Sequence, residues 1–304
     1  MQIKLRIYLL LVALLCFLFN LMFHLNINTQ ISFLILVLII FGVPHGALDL
    51  YIDQHLQKTA HNQKVFLVKY VANIVCYAMI WYFLPITALV IFIVITAFHF
   101  GEIDWMGKTN RPIHKIVYTF LGFSWILFLL SKNVNFAIDI FLKMGRSSFN
   151  TNQLISFASI IYPISLASIT VIYAGLCFFK DQFFFKKTHY YFALMQTSIL
   201  ILFTLYMPLW ICFAFYFGFW HSLLSFDKIR VAFNIENTLK GWKSLLSKAA
   251  PFSIVAWFGF AYITFLTLNS KDASGIFTLL FISLSVLALP HLQVFTKLKL
   301  NPDL

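Results

Sequence analysis

Four stretches of this chain, residues 1–24, 30–50, 65–83 and 251–268, are apolar almost without interruption. A helix needs roughly 20 consecutive apolar residues to cross a bilayer. Lipid offers the backbone no hydrogen-bond partner, so only helices and closed barrels can span it. The runs show no period-2 alternation, which favours helices over a barrel. The chain is 61% hydrophobic and 11% charged, against about 25% charged in soluble domains. The expected fold class is therefore all-α: a polytopic integral membrane helical bundle, forming one domain over residues 1–304.

The apolar pattern predicts about ten transmembrane helices, at roughly 5–24, 30–50, 65–83, 84–101, 113–131, 153–179, 188–207, 208–226, 251–269 and 274–295. Pro85 and Pro208 mark tight turns between neighbouring spans. Residues 133–152 read as a weaker amphipathic segment of interfacial type. The N-terminal run has no small-residue cleavage site and is followed by further apolar chain, so it reads as the first span. Loop charge tests the arrangement. Alternating spans put eighteen of the 22 Lys and Arg residues on the side that holds both termini and four on the other. Cytoplasmic loops carry the excess of positive charge, so both termini are expected in the cytoplasm, with the chain in the inner (plasma) membrane.

The same distribution explains the net charge of +12 without a nucleic-acid partner, since the basic residues are scattered over short loops. Cys16, Cys76, Cys177 and Cys212 all lie in apolar segments without paired spacing, so neither a disulfide framework nor a thiolate metal site is indicated.

Ionisable residues inside spans are costly and are candidates for function. His45, His99, His221 and His291 fall within spans 2, 4, 8 and 10, each near the C-terminal end. Even-numbered spans run toward the cytoplasm in this arrangement. The four imidazoles should then share one depth in the cytoplasmic half of the membrane. A single membrane histidine often serves only as an interhelical hydrogen bonder; four at one depth on four helices point to a metal site. Imidazole suits iron, zinc or copper. His24, His55, His61, His114 and His189 lie at span ends or in loops and read as solvated.

Asp49 follows His45 by four residues and Glu102 follows His99 by three. On continuous helices those spacings put each carboxylate on its histidine's face, where it could fix the tautomer of a ligand. The alternative is that Asp49, Asp53, Glu102 and Asp104 are interfacial charges at span ends. Pro44 and Pro290 each precede a histidine, and proline frees a backbone carbonyl and can kink a span.

The segments VPHGALDL, FHFGEID, FYFGFWHS and LPHLQV, spread in this order from residue 43 to 294, together resemble the Brp/Blh family of membrane β-carotene 15,15'-dioxygenases. The resemblance implies an iron(II) centre, Fe(2+), held by histidines. It also implies O2-dependent cleavage of the central double bond of β-carotene into two retinal molecules. Carried over by position, His45, His99 and His221 match family iron ligands, and His291 matches the late PH motif. Many family members have a further histidine four residues after the position of His221; here it is Ser225, a poor iron ligand that could only neighbour the site. Either His291 completes the ligand set, or the site has three histidines, or this member has drifted in activity; the shared depth favours His291. A lipid desaturase or hydroxylase would carry HxxxH and HxxHH motifs, which the chain lacks. A transporter or carotenoid-binding protein is the non-enzymatic alternative.

Overall fold

The computed structural model describes residues 3–23, 25–56, 62–132, 138, 142, 151–268 and 273–298. The interfacial segment expected at 133–152, and His24 and His61, therefore lie almost wholly outside the described residues.

The described chain is all-helical. Ten long helices follow one another: α1 (Ile3–Phe23), α2 (Ile27–Leu56, with breaks described below), α3 (Gln63–Phe83), α4 (Pro85–Asp104), α5 (Pro112–Lys132), α6 (Thr151–Phe178), α7 (Lys187–Tyr206), α8 (Leu209–Ala232), α9 (Leu239–Leu268) and α10 (Ala273–Phe295). Among the described residues, α1 to α6, α8 and α9 contain eight stretches long and apolar enough to cross a membrane, and α10 adds the shorter apolar stretch Phe281–Phe295. The protein is a polytopic membrane bundle. Side chains such as Val68, Phe83, Val171, Val255 and Phe258 are exposed; in a bilayer they face lipid, which is the solvent that such surfaces require.

Local chemistry explains the boundaries. Asn62 caps α3 by accepting from the backbone N–H groups of Lys64 and Val65. Pro85 opens α4 at a first-turn position, where its missing N–H removes no helical bond. Pro208 precedes α8 in extended conformation. Pro251 does not begin a span as the apolar pattern suggested. It lies inside α9, which starts at Leu239. The polar stretch that carries Lys240, Lys243 and Lys248 is helical too, so the helix extends beyond its apolar part.

α8 is the centre of the bundle: 67% of its apolar window is buried, against 11% for α3 and for α6. Its residues Phe215, Trp220, Leu224 and Ile229 belong to the main buried cluster, with Leu9 of α1, Phe128 of α5 and Leu200 of α7. α4 and α5 cross almost in backbone contact. A Cβ built on Gly101 would fall 1.9 Å from the Tyr118 carbonyl oxygen, and one on Gly122 would fall 2.0 Å from that of Ala97. Small residues permit such approach in membrane bundles, where association rests on packing.

Gly101→Ala and Gly122→Ala are each expected to cost at least about 1–3 kcal/mol, the usual range for overpacking, because backbone cannot rotate away. Gly175, with nothing within 4 Å of its built Cβ, should accept alanine without loss. Thermal unfolding of the three variants in detergent, read by circular dichroism, checks this.

Candidate metal centre

His45 and His221 are delivered by two departures from α-helical geometry. In α2 the α-helix of Ile27–Val37 passes into a π-helical turn, Leu38–Gly42, then a short α-turn, Val43–Gly46, that carries Pro44 and His45. Pro44 has no N–H to offer the carbonyl four residues back. The preceding register is wider, with the Val43 N–H bonded to the Leu38 carbonyl. In α8 the run Ala214–His221 is π-helical throughout, and the Ser222 hydroxyl donates to the Phe217 carbonyl at 3.1 Å. Such wide turns recur at functional sites because they re-aim side chains. The two segments pack together. Gly218 lies where a Cβ would come within 2.6 Å of Val37 Cγ1, and Phe41 meets Phe219 edge-on at 4.9 Å between centroids.

His99 comes from the last two turns of α4, beside Gly101 at the close crossing with α5. His291 follows Pro290 inside α10. The four rings converge. Centroid separations are 5.3 Å for His45–His221, 5.1 Å for His45–His291, 4.8 Å for His99–His221 and 5.2 Å for His99–His291. His45, His99 and His221 can each offer one nitrogen such that all three lie within 4.8 Å of one another. Buried and without a hydrogen-bond partner are both nitrogens of His99, His221 Nδ1 and His291 Nε2, while His45 lies against the backbone carbonyls of Phe41 and Gly42. Such atoms are rare in folded proteins, and a role in binding an ion is one of the few explanations. The donor set fits a first-row divalent metal of borderline softness.

The residues expected to orient the ligands divide. Asp49 does not act on His45. A turn at residues 47–48 interrupts the helix between them, so the four-residue spacing no longer describes one face. Instead Asp49 Oδ1 lies 2.8 Å from His291 Nδ1, and its other oxygen accepts from the Tyr70 hydroxyl at 2.8 Å. With Nδ1 held by a carboxylate, His291 keeps Nε2 available, the arrangement typical of histidines at metals. Glu102 makes no bond to His99; its partner is Lys228 Nζ of α8, at 2.9 Å. Ser225 is fully buried, with its hydroxyl 3.5 Å from His221 Nε2. Asp49 and Asp53 are buried, at 3% and 2% exposure. His55 bonds the Tyr51 carbonyl and His114 packs on Phe183; neither belongs to the cluster. His189 lies near the start of α7.

Aromatic rings complete the walls. Phe100 stacks on His221 at 3.8 Å, Phe295 lies against His99 at 4.8 Å, and Lys228 Nζ sits over the Phe295 ring at 4.9 Å. Tyr70, Lys228 and Phe295 were not singled out from sequence. Phe295 is one helical turn after His291 and Lys228 two turns after His221, spacings that could have flagged them; Tyr70 meets the site only through the tertiary fold.

The family model for β-carotene 15,15'-dioxygenase matches residues 36–299. The chain belongs to the β-carotene 15,15'-dioxygenase family. A member of this family from an uncultured marine bacterium, 66A03, named β-carotene 15,15'-dioxygenase, is 28% identical over 267 residues, covering 84% of this chain and 90% of that protein. No solved structure matches. All four histidines lie inside the family match, and membership puts the chain among oxygenases rather than transporters.

Tyr70→Phe removes one donor to Asp49 and is expected to lower stability by about 0.5–1.5 kcal/mol. Asp49→Ala also strands the Nδ1 of His291 and should cost more, about 1–3 kcal/mol. Denaturant or thermal unfolding of the two variants, side by side, tests the order.

Proposed function

We propose that this dioxygenase-family protein cleaves β-carotene at its central 15,15' double bond with O2, giving two molecules of retinal, and that it uses one Fe(2+) ion held by His45, His99, His221 and His291. The observation that carries the reading is the convergence of partnerless imidazole nitrogens, within a chain whose family and relative bear that activity in their names. The reaction balances simply: both oxygen atoms enter, one at each end of the broken bond.

The residues present fit the ion. Three histidines can direct nitrogens to one point, and His291 brings Nε2 to the same group of rings with Nδ1 anchored on Asp49. Bound iron would supply the redox chemistry that lets O2 react with a polyene, which no side chain here can do. The protein's own part is binding and exclusion. Phe100, Phe217 and Phe213 form a run of ring contacts leading from His221, an apolar surface suited to a conjugated hydrocarbon. A carotenoid dissolves in lipid, so an entrance from the bilayer suits this substrate. The protein's burial of His99 and His221 keeps water from the reacting bond. The charge distribution supports both termini in the cytoplasm and residence in the plasma membrane.

The test is expression in bacterial cells that make β-carotene, followed by chromatography of retinal and residual carotene. Retinal should dominate and carotene should fall. His45→Ala and His99→Ala should remain in the membrane, give no detectable retinal, and lose the iron found in the purified wild-type protein. Unequal aldehydes from the wild type would move the bond cleaved. Wild-type turnover in either histidine variant would reject the ligand assignment.

A further inference from the structure

A second polar cluster lies beside α4 and α8, built around a buried arginine of the first helix. Arg6 is 1% exposed. Its guanidinium donates to the carbonyl of Ile103 at 2.7 Å, to that of Asp104 at 3.2 Å and to Gln196 Oε1 at 2.8 Å. It also lies over the Trp220 ring, 5.8 Å from its centroid. The Asp104 carboxylate accepts from the Tyr216 hydroxyl at 2.5 Å and from Trp220 Nε1 at 2.8 Å. Six residues from α1, α4, α7 and α8 are thereby joined.

The cluster sits at the base of two candidate ligands. Ile103 and Asp104 end the helix that carries His99, and a cation bonded to those last carbonyls is well placed against the helix dipole. Tyr216 and Trp220 belong to the π-helical run that ends in His221; Trp220 is its immediate neighbour. A π-helical segment lacks the regular α-register, so its side chains need outside anchors. Tyr216 and Trp220 supply two such anchors, and both end on Asp104.

We infer that Arg6 and Asp104 are positioning residues for the metal centre: the first helix, all of it outside the family match at 36–299, clamps the His99 and His221 segments against each other. Arg6 acts through the end of α4 and through Trp220. Its planar fork serves several acceptors at once, which a lysine ammonium on a flexible stem cannot reproduce. The inference rests on the metal-centre reading given above.

The test uses the full-length protein in detergent, metal-depleted and titrated with Co(2+), whose visible absorption reports ligand geometry. The variants are Arg6→Met, Arg6→Lys, Asp104→Asn and Tyr216→Phe, with Lys132→Met as control. Lys132 donates to the Thr204 and Met207 carbonyls, so its loss is destabilising without involving this cluster. The expected result is a fall of ~10-fold or more in Co(2+) affinity, as for other residues that orient metal ligands, with an altered visible spectrum, in Arg6→Met and Asp104→Asn. Arg6→Lys should not restore either, and Tyr216→Phe should shift the spectrum in the same sense. Lys132→Met should lower the melting temperature and leave the spectrum unchanged. If Arg6→Met does not accumulate, Arg6→Lys and Tyr216→Phe decide alone. Wild-type affinity and spectrum in the folded Arg6 and Asp104 variants would overturn the inference while leaving the metal centre intact. A wild-type protein that binds no Co(2+) and no Fe(2+) would overturn both.

Discussion

A buried polar atom without a partner costs about 1–3 kcal/mol, and four imidazole nitrogens of His99, His221 and His291 are in that condition in one cluster. Left to themselves, these rings would turn toward backbone carbonyls or water. Packing limits that freedom. Phe100 and Phe295 cover the faces of the rings, and Asp49 takes one nitrogen of His291 while leaving the other. The close crossing at Gly101 and Gly122 holds the end of α4, and two packed π-helical segments hold His45 and His221. Much of the irregular geometry in this bundle is concentrated where it keeps nitrogen lone pairs aimed at one point. That expense makes sense if an ion repays it.

The helical class and the convergence of four histidines could be read from the chain. Apolar length is a direct consequence of bilayer thickness, and depth follows from position along a span once orientation is known. The partner of each carboxylate could not be read, for a local reason. The argument that set Asp49 on the face of His45 assumed an unbroken 3.6-residue period. The turn at residues 47–48 breaks it. Glu102 keeps its place on α4, yet the favourable pairing with Lys228 of α8 takes it, and no spacing within one helix reveals a neighbour supplied by another. Pro251 misled in the opposite sense, since a proline near a polar stretch resembles a helix start and here lies within α9.

The membrane sharpens these distinctions. In water, an aspartate at a helix end is ordinary surface. Here Asp49, Asp53 and Asp104 each have a partner supplied by another helix or by the turn that follows one: Tyr70 and His291, Lys297, and Tyr216 with Trp220 respectively. Charge near the bilayer edge thus serves to tie helices together, in a setting where hydrophobicity alone draws no helix to another.

Arg6 also bears on how the chain is made. Its acceptors lie 97, 98 and 190 residues later in sequence. The first helix leaves the ribosome long before α4 exists, and longer still before α7 does. Until then the guanidinium must stay at the lipid headgroups, where its long side chain can reach water and phosphate. The helix can settle into these contacts only after the segment that carries Gln196 has been synthesised. Its docking is thus a late event, timed by the arrival of distant segments.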